Sequence, residues 1–276
     1  MDERAATMWR AGLVLLSLAG GAAWLARVSP SLTVPWLIAP AADDAEAPVY
    51  SPRQALRTFA LRDGFVIEPV ASEPVVRAPV ALSFDGDGRL WVVEMQGYMP
   101  DADATGEGVP TSRIVVLEDA DGDGEFEKHR VFMERLRLPR SVAFSHGGVL
   151  VLSPPELLFC RDTDGDGRAD DVRVLKDGMG GIENPEHAPN SLMFGVDGWW
   201  TFSQCDFEFR WDGPDGGVLE TRPTPVHGQW GMTRDDLGRL YYTPNSTPLL
   251  MDAVPKWLAA QPGRNGSLPS VGLVVG

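Results

Sequence analysis

Residues 113–132 read RIVVLEDADGDGEFEKHRVF, an acidic loop between two apolar runs, and this stretch decides the fold. The same design returns at residues 157–175, which read LLFCRDTDGDGRADDVRVL. The runs on either side of each loop are rich in β-branched and aromatic residues, which predicts that each loop joins two strands. The loops begin 43 residues apart, at Asp119 and Asp162. This offset is typical of one blade of a β-propeller.

Both loops also carry the residue types that bind calcium. Ca²⁺ prefers about six to eight oxygen ligands, and acids at loop positions 1, 3, 5 and 9 with a carbonyl at position 7 can surround it. The candidate ligands of the first loop are Asp119, Asp121, Asp123, Glu125 and Glu127. Those of the second loop are Asp162, Asp164, Asp166, Arg168 through its backbone carbonyl, and Asp170. Position 12 is arginine in both loops, so neither is an EF-hand. The alternative is a pair of Asp-Gly turns without a metal.

A second pattern recurs along the chain: an apolar strand, a tight turn with glycine, and another apolar strand. Its four copies occupy residues 80–93, 141–152, 191–202 and 231–242. The turn glycines are separated by 60, 50 and 40 residues, and the longest gap contains the polar insert 100–110. This spacing predicts an all-β propeller, with a β-sandwich as the alternative. Most tryptophans are then expected to pack between blades, and Trp230 is the one that could contact a ligand.

The start of the chain differs from the rest. Residues 11–26 are apolar and follow basic residues, which predicts a hydrophobic helix over residues 1–27 that is a secretory signal or an N-terminal membrane anchor. A buried soluble helix is the alternative. Residues 28–50 are rich in Pro and Ala and read as a linker, which leaves 51–276 as the folded domain. We therefore expect an exported protein of the periplasm or cell envelope, linked to the membrane through its N-terminus.

Composition excludes some functions. The formal net charge is −15, and no cluster of Lys and Arg is present, which argues against nucleic-acid binding. The two cysteines, Cys160 and Cys205, could pair in an oxidising compartment or remain as buried free thiols. The sequence has no Cys-x-x-Cys-His motif for haem attachment.

The sharpest catalytic candidate is the stretch NPEHAPNSLMFGVDG at residues 184–198. Here the chain resembles the soluble quinoprotein glucose/sorbosone dehydrogenase family, six-bladed TolB-like propellers that use pyrroloquinoline quinone and Ca²⁺. In that family an acid–His pair precedes a Gly-x-Leu-x-Phe-Gly-x-Asp-Gly hairpin. The resemblance implies that His187 is the catalytic base and Glu186 its neighbouring acid. The residues expected near the cofactor are Asn190, His227, Gln229 and Arg140.

The chain is also similar to the large membrane-bound dehydrogenases of planctomycetes, which have a signal or anchor, such a propeller, and often a later cytochrome c domain. The matching stretches are 63–65 with 73–74, 88–95, both acidic loops, and 228–232 with 238–241. One departure is His227-Gly228, where the quinoproteins have an Arg-Asn pair that helps to hold the quinone.

This resemblance implies an N-terminal piece of a longer protein, since four blades are visible and a six-bladed ring needs more chain. After a short helix at 255–261, residues 271–276 read as the start of another strand. Haem c would then lie in a C-terminal part that is missing here. We expect quinone-dependent oxidation of a sugar or alcohol, with an electron acceptor such as cytochrome c. The alternative is a non-catalytic, Ca²⁺-stabilised propeller that binds carbohydrate or protein.

Overall fold

The computed structural model describes residues 49–247 and 249–252. The chain divides into two compact units, Met1–Tyr50 and Ser51–Gly276, and every helix and strand described belongs to the second. The predicted signal or anchor, most of the linker, the helix at 255–261 and the strand at 271–276 lie outside the described residues. Within the described ranges, no helix combines the length and apolar character needed to cross a bilayer.

Four antiparallel sheets follow one another along the chain, preceded by a short helix α1 (Pro52–Leu56) that Ser51 caps. Blade 1 contains β1 (Pro79–Phe84), β2 (Leu90–Glu94), β3 (Ser112–Glu118) and β4 (Lys128–Leu136). Blade 2 contains β5 (Ser141–Ser145), β6 (Gly148–Ser153), β7 (Glu156–Arg161) and β8 (Asp171–Lys176). Blade 3 contains β9 (Asn190–Phe194), β10 (Trp200–Ser203), β11 (Phe207–Trp211) and β12 (Leu219–Pro223). Blade 4 contains β13 (Met232–Arg234), β14 (Leu240–Tyr242) and β15 (Leu250–Met251).

The sheets are arranged as propeller blades. In each sheet the strands pair in chain order, and the first strands of neighbouring sheets contact each other, β1 with β5, β5 with β9, and β9 with β13. Sheets that meet along their first strands radiate from an axis, whereas the sheets of a sandwich meet face to face. The propeller prediction is therefore confirmed for four blades. The six-bladed ring remains a prediction.

Large apolar side chains fill the space between blades. Between blades 1 and 2, the Trp91 ring lies edge-on to Phe132 at 4.7 Å and to Phe144 at 5.4 Å. Between blades 2 and 3, Phe159 lies edge-on to Trp211 at 4.7 Å. Aromatic rings suit this position because each buries a large area and adds edge-to-face attraction. Trp91, Trp200 and Trp211 thus pack between blades, as their positions in the repeats predict.

Each blade has an upper edge, which carries the loops after even-numbered strands, and a lower edge, which carries the loops after odd-numbered strands. The first strands of blades 2, 3 and 4 run in the same direction, as hydrogen bonds between the beginnings of these strands show. The Leu192 N–H donates to Ser141 Oγ at 2.8 Å, and the Gly231 N–H donates to Ser191 Oγ at 3.0 Å. Consequently the segment with His187 lies at the upper edge, and both acidic loops lie at the lower edge.

The recurring hairpin turn at the lower edge is held by one carboxylate. In blade 1, Asp85 accepts hydrogen bonds from Arg89 N at 2.9 Å, Arg89 Nε at 2.7 Å and Trp91 Nε1 at 2.8 Å. In blade 4, Asp235 accepts from Arg239 N at 2.9 Å, Arg239 Nε at 2.6 Å and Tyr241 Oη at 3.2 Å. The repeated pattern of Asp, Arg four residues later and an aromatic donor six residues later therefore has a structural cause.

The Asp85→Asn variant is expected to lose about 1.5–3 kcal/mol of unfolding free energy at pH 7, because charge-assisted hydrogen bonds become neutral ones. Burial raises the pKa of Asp85, but hydrogen bonds from Trp91 and Arg89 outweigh burial and lower it overall. A lowered carboxyl pKa stabilises the fold above the unfolded value of about 3.9 and is lost as pH falls through the folded value.

Urea denaturation at several pH values checks this prediction. The difference between wild type and Asp85→Asn should shrink as the pH is lowered below about 4. The exposed Asp236, in the equivalent turn of blade 4, provides the matched control, and Asp236→Asn should leave stability within about 0.5 kcal/mol. A pH-independent difference for Asp85→Asn would contradict the electrostatic explanation.

The cysteines are separate buried thiols. Cys160 and Cys205 are both buried and neither forms a disulfide, so the disulfide alternative is excluded. The Cys160 Sγ lies 3.6 Å from Met133 Sδ in the core between blades 1 and 2. Burial raises the pKa of the Cys160 thiol to about 12, so this group remains protonated and unreactive at neutral pH.

Candidate functional site

A histidine–carboxylate pair lies where the loop entering blade 4 meets its third strand. His227 Nδ1 lies 3.0 Å from both carboxylate oxygens of Asp252. Tyr242 Oη donates to Asp252 Oδ1 at 3.0 Å, and the Tyr242 ring stacks on the His227 imidazole with centroids 4.9 Å apart. A carboxylate at Nδ1 fixes that nitrogen as the donor and leaves Nε2 as the acceptor. This arrangement can take a proton from a ligand hydroxyl.

Asp252 is held firmly enough to orient the imidazole. Its side chain is 6% exposed, and its backbone N–H donates to the Leu240 carbonyl at 3.0 Å. The His227 carbonyl accepts from Gln204 N at 3.0 Å and from Ser203 Oγ at 3.2 Å. Hydrogen bonds thus hold both His227 and Asp252 against blade strands. This makes the pair rigid, as an acid–base group must be.

His187 and Glu186 occupy a 3₁₀ turn, Pro185–His187, at the same edge. Both residues are exposed. Tyr98 Oη donates to Glu186 Oε1 at 2.6 Å, and this hydrogen bond raises the pKa of Tyr98. Within the described part of the chain, no carboxylate forms an ion pair with the His187 imidazole. Glu186 thus bonds to Tyr98, and the roles of His187 as base and Glu186 as its neighbouring acid stay predictions.

Asn190 joins blade 3 to blade 4. It is fully buried, and its Nδ2 donates to the carbonyls of Ala188 at 2.9 Å and Gln229 at 2.7 Å. Its Oδ1 accepts from Ser191 Oγ at 2.7 Å and from Gly231 N at 3.3 Å. All polar atoms of the amide are used within the protein, so Asn190 positions the Gln229 backbone. Its contact with a cofactor stays a prediction. Gln229 itself is half-buried beside it.

Arg140 is the most unusual side chain of the upper edge. It immediately precedes β5 and is 1% exposed. Its Nη2 donates to the Gly181 carbonyl at 2.5 Å, whereas Nε and Nη1 are buried without a hydrogen-bond partner. Burial lowers the pKa of Arg140 to about 10, so the guanidinium is still charged at neutral pH. A buried cation with free donors is a group that can hold an anion.

The acidic loops have the conformation of preorganised cation loops. In the first, carboxylate oxygens of four residues lie within 4.8 Å of one another: Asp119, Asp121, Asp123 and Glu127. The Asp119 carboxylate accepts from Gly122 N at 2.6 Å and Gly124 N at 2.9 Å. These bonds, the one from Gly124 foremost, lower the pKa of Asp119, so the loop is anionic at neutral pH.

The second loop repeats this conformation. Its clustered carboxylates belong to Asp162, Asp164 and Asp166, and Asp162 accepts from Gly165 N at 2.7 Å and Gly167 N at 2.8 Å. The side chains of the other expected positions are engaged within the protein. These contacts are Glu125 with Arg53 at 3.0 Å, Arg168 with Glu134 at 3.1 Å, and Asp170 with Thr163 Oγ1 at 2.8 Å. Glu125 and Arg168 would thus contribute only their carbonyls, as position 7 does.

Sequence patterns missed three residues of the candidate site: Asp252, Tyr242 and Tyr98. Asp252 follows the two-residue strand β15, and no motif links it to His227, which lies 25 positions earlier. Tyr98 lies just before the polar insert of blade 1, 88 positions from Glu186. The fourth glycine hairpin predicts a strand at Tyr242. It does not predict that the Tyr242 hydroxyl donates to Asp252, ten positions later in the chain.

Comparison with known proteins places the chain in a family. A family model described as "Domain of unknown function (DUF7133)" matches residues 51–270. No curated protein matches the chain.

Solved structures with similar folds include several enzymes. The PQQ domain of a pyranose dehydrogenase from Coprinopsis cinerea, in its holo form, is 16% identical with a TM-score of 0.47, covering 66% of this chain and 46% of that one. A gluconolactonase from Xanthomonas campestris is 20% identical with a TM-score of 0.43, covering 61% and 54%. A protein from Bacteroides uniformis described as a 6-phosphogluconolactonase is 18% identical with a TM-score of 0.43, covering 67% and 56%. The chain spans about half the length of these structures, and the similarities assign it no activity.

Proposed function

Because the chain belongs to the DUF7133 family, a domain of unknown function, we propose an activity from the geometry of its upper edge. The protein is an oxidoreductase that removes a hydroxyl proton and a hydride from a sugar or an alcohol, with a quinone as hydride acceptor. His227 is the base, and Asp252 is the residue that positions it. The observation that carries this proposal is the His227–Asp252 pair, with Nδ1 and the carboxylate 3.0 Å apart.

His227 is preferred to His187 for a physical reason. A base must gain a proton as charge develops, and a carboxylate on the opposite ring nitrogen stabilises the imidazolium that forms. His227 has that carboxylate, whereas the acid next to His187 is bonded to Tyr98. The imidazole of His227 is also restricted by stacking on Tyr242. Both features lower the cost of placing Nε2 against a substrate hydroxyl.

The residues present fit a quinone that carries carboxylates. Arg140 retains two unpaired nitrogens, while Arg113 at the same edge is already bonded to Glu94. Arg140 would therefore hold a carboxylate of pyrroloquinoline quinone. When bound, the quinone supplies the hydride acceptor that no protein side chain provides. The chain itself binds the substrate, orients His227 and holds the abstracted proton on Nε2.

A dye-linked assay tests the activity. The purified protein is incubated with pyrroloquinoline quinone, Ca²⁺ and a panel of aldoses, uronates and simple alcohols, and dye reduction is followed. We expect turnover with at least one sugar or alcohol and none when the quinone is omitted. Silence across the panel, with the protein folded and the quinone bound, would refute the oxidoreductase proposal.

The whole protein is proposed to act at the cell envelope. Its N-terminal segment would bring it to the membrane, and a c-type cytochrome would accept the electrons. The acidity of the chain, with a formal net charge of −15, favours an acceptor with a basic surface.

The acidic loops are proposed as two Ca²⁺ sites that stabilise blades 1 and 2. They lie at the lower edge, away from His227, so the ions would not take part in the reaction. Ca²⁺ relieves the repulsion among clustered carboxylates. At a free Ca²⁺ concentration about 100 times Kd, each site adds about 2.7 kcal/mol to stability, which thermal unfolding measures as a higher Tm.

Variants that remove a carboxylate charge show whether the rise in Tm comes from Ca²⁺ binding or from the geometry of the loop. Asp121→Asn and Asp164→Asn keep an oxygen for the turn bonds to Asp123 and Asp166 but remove a ligand charge. Together they should abolish most of the Ca²⁺-dependent rise in Tm. Asp101→Asn is the matched control, because Asp101 holds a similar turn outside the acidic clusters. An unchanged Tm and no heat on Ca²⁺ titration of the wild type would exclude the sites.

A non-catalytic binding function is the second candidate, and a cleft at the lower edge supports it. The cleft between blades 1 and 2 has a volume of about 600 Å³, which is within the range of ligand pockets. Its floor contains Trp91, Phe132 and Phe144, and its rim contains Arg130 and His146. Under this alternative His227→Ala would bind sugars as well as the wild type, and no substrate would be turned over.

A further inference from the structure

Two loops meet across the upper edge and form what we call the clasp, residues 95–111 and 177–189. The first belongs to blade 1 and the second leads into blade 3, so their contact spans blade 2. Tyr98 Oη donates to Glu186 Oε1 at 2.6 Å. Gly108 lies against Ile182, since a Cβ added at Gly108 would be 3.8 Å from Ile182 Cγ2. The hydrogen bond between Tyr98 and Glu186 and the packing of Gly108 near Ile182 thus join the two loops of the clasp.

Arg140 lies against the second loop of the clasp. Its Nη2 donates to the Gly181 carbonyl at 2.5 Å, and a Cβ added at Gly181 would clash with Arg140 Nη1. Burial lowers the pKa of Arg140, and the charge of Glu107 in the first loop partly opposes that lowering. The Glu107 Oε1 accepts from the Met99 backbone at 3.0 Å. Among the described residues, Arg140 forms no salt bridge, and its Nε and Nη1 are buried without partners.

Such a side chain destabilises the ligand-free fold. Taking a cation out of water is costly unless an anion and hydrogen bonds replace the water. Arg140 has one carbonyl in place of that anion. A residue that costs stability while empty is typical of a binding site, where preorganised donors await a ligand.

We propose that Arg140 is an enclosed binding site for one carboxylate group, which enters when the clasp opens and is sealed in when it closes. The group belongs to an acidic sugar, such as a uronate or aldonate, or to the quinone. The proposal concerns binding and does not depend on oxidation by His227.

Charge balance favours a single carboxylate over a phosphate. One guanidinium compensates one negative charge, and the surrounding upper edge already contains the carboxylates of Glu94, Glu107 and Glu186. A dianionic phosphate would add uncompensated charge there. A carboxylate is also planar, as the guanidinium is, and can take one hydrogen bond from Nε or Nη1 and a second from the remaining hydrogen of Nη2.

The enclosure implies a gate. Arg140 is 1% exposed, so a ligand cannot reach Nε or Nη1 while the clasp is closed. The hydrogen bond between Tyr98 and Glu186 is solvent-exposed and therefore breaks at low cost. Tyr98→Phe is expected to increase the association rate of a carboxylate by about fivefold, measured by stopped-flow fluorescence of the native tryptophans.

Calorimetric titration with matched sugars tests the site. D-Galacturonate and D-galactose differ at one carbon, so we expect the uronate to bind the full chain at least about 10-fold more tightly. Pyrroloquinoline quinone is titrated separately. Affinity for the uronate assigns the site to an acidic substrate, and affinity for the quinone alone assigns it to the cofactor. Binding of neither would overturn the proposal.

Arg140→Met distinguishes a ligand site from a structural one. Methionine fills much of the same volume without the charge, so the ligand-free Tm should rise by about 2–4 °C, while carboxylate affinity falls about 30-fold or more. Arg140→Lys should recover part of that affinity. A lower Tm for Arg140→Met with unchanged carboxylate affinity would show that Arg140 only supports the loop.

A pair of glycines in the clasp supplies a control that leaves Arg140 in place. A Cβ at Gly181 would collide with Arg140 Nη1 and Ala188 Cβ, whereas a Cβ at Gly180 meets nothing within 4 Å. Both residues have positive φ, 93° and 67°, so alanine strains the backbone at each. Gly181→Ala should weaken carboxylate binding about 10-fold more than Gly180→Ala does. Equal effects would contradict a site at Arg140.

Oxidation and carboxylate binding can fail separately. His227→Ala should abolish dye reduction and leave the titration with D-galacturonate unchanged, because His227 contacts neither Arg140 nor the clasp loops in the described structure. A wild-type protein that binds the uronate but oxidises nothing would support this site and refute the proposed activity. Oxidation of neutral sugars by a protein in which Arg140→Met leaves the affinities for the uronate and the quinone unchanged would support the activity and refute this site.

Discussion

Replacing His227 with alanine is expected to lower the rate of dye-linked substrate oxidation by about 10²- to 10⁴-fold, the range typical of a lost general base. The reason is that Nε2 would take the hydroxyl proton while Nδ1–H remains bonded to Asp252, 3.0 Å away. Without the imidazole, the proton must pass to water, and Asp252 no longer stabilises a protonated base. The measurement is kcat at saturating substrate, since substrate binding should change little.

Variants of the neighbouring residues show whether the pair acts as a unit. Asp252→Asn keeps the shape of the side chain but can place a donor against Nδ1, which favours the wrong tautomer and should cost nearly as much as His227→Ala. The double variant should then be no worse than either single one. His129→Ala, which changes an exposed histidine of β4, should retain wild-type kcat. If His187→Ala reduces kcat more than His227→Ala does, the base is His187.

The largest loss of stability is expected for Glu94→Ala, about 3–5 kcal/mol of unfolding free energy. Glu94 ends β2 and is fully buried. Its carboxylate accepts from Arg77 N at 2.8 Å, from Gln96 Nε2 at 2.8 Å, and from Arg113 Nε. Removing it leaves the Arg113 guanidinium and a backbone N–H without their acceptor, which is the costly way to break a buried ion pair.

Urea denaturation with two comparison variants checks this value. Glu94→Leu combined with Arg113→Leu should recover part of the loss, because no charge is left unpaired. Glu220→Gln breaks an ion pair with Arg210 in which both side chains are nearly half exposed, and it should cost about 0–1 kcal/mol. A loss below about 1 kcal/mol for Glu94→Ala would mean that water reaches the pair. Since Glu94 adjoins the loop with Tyr98, its loss should also loosen the clasp.

Much of the fold could be predicted from short-range patterns. The four hairpins and the two strand–loop–strand units all occur where the residues indicate them. Their signals act within about ten residues. Alternating apolar side chains choose the buried face of a strand, and the carboxylate of Asp85 or Asp162 bonds to backbone N–H groups of its own turn.

The candidate site was predicted less well, because its contacts join distant positions. The segment around His187 was placed at the upper edge, but the partner of Glu186 is Tyr98, which comes from another blade. Asn190 was expected near a ligand, and the structure shows that it holds the entry to blade 4 through the Gln229 carbonyl. His227 was a candidate from the sequence, but its carboxylate partner Asp252 was not.

Sequence alone therefore determined the strands, their turns and the acidic loops, because each depends on residues that are neighbours in the chain. Tertiary structure decided which histidine has a carboxylate, and it buried Arg140 with two nitrogens that have no hydrogen-bond partner. The physical reason is the radial packing of the blades. Their first strands meet side by side at the axis, which brings loops that are dozens of residues apart to one edge. No local pattern encodes that proximity.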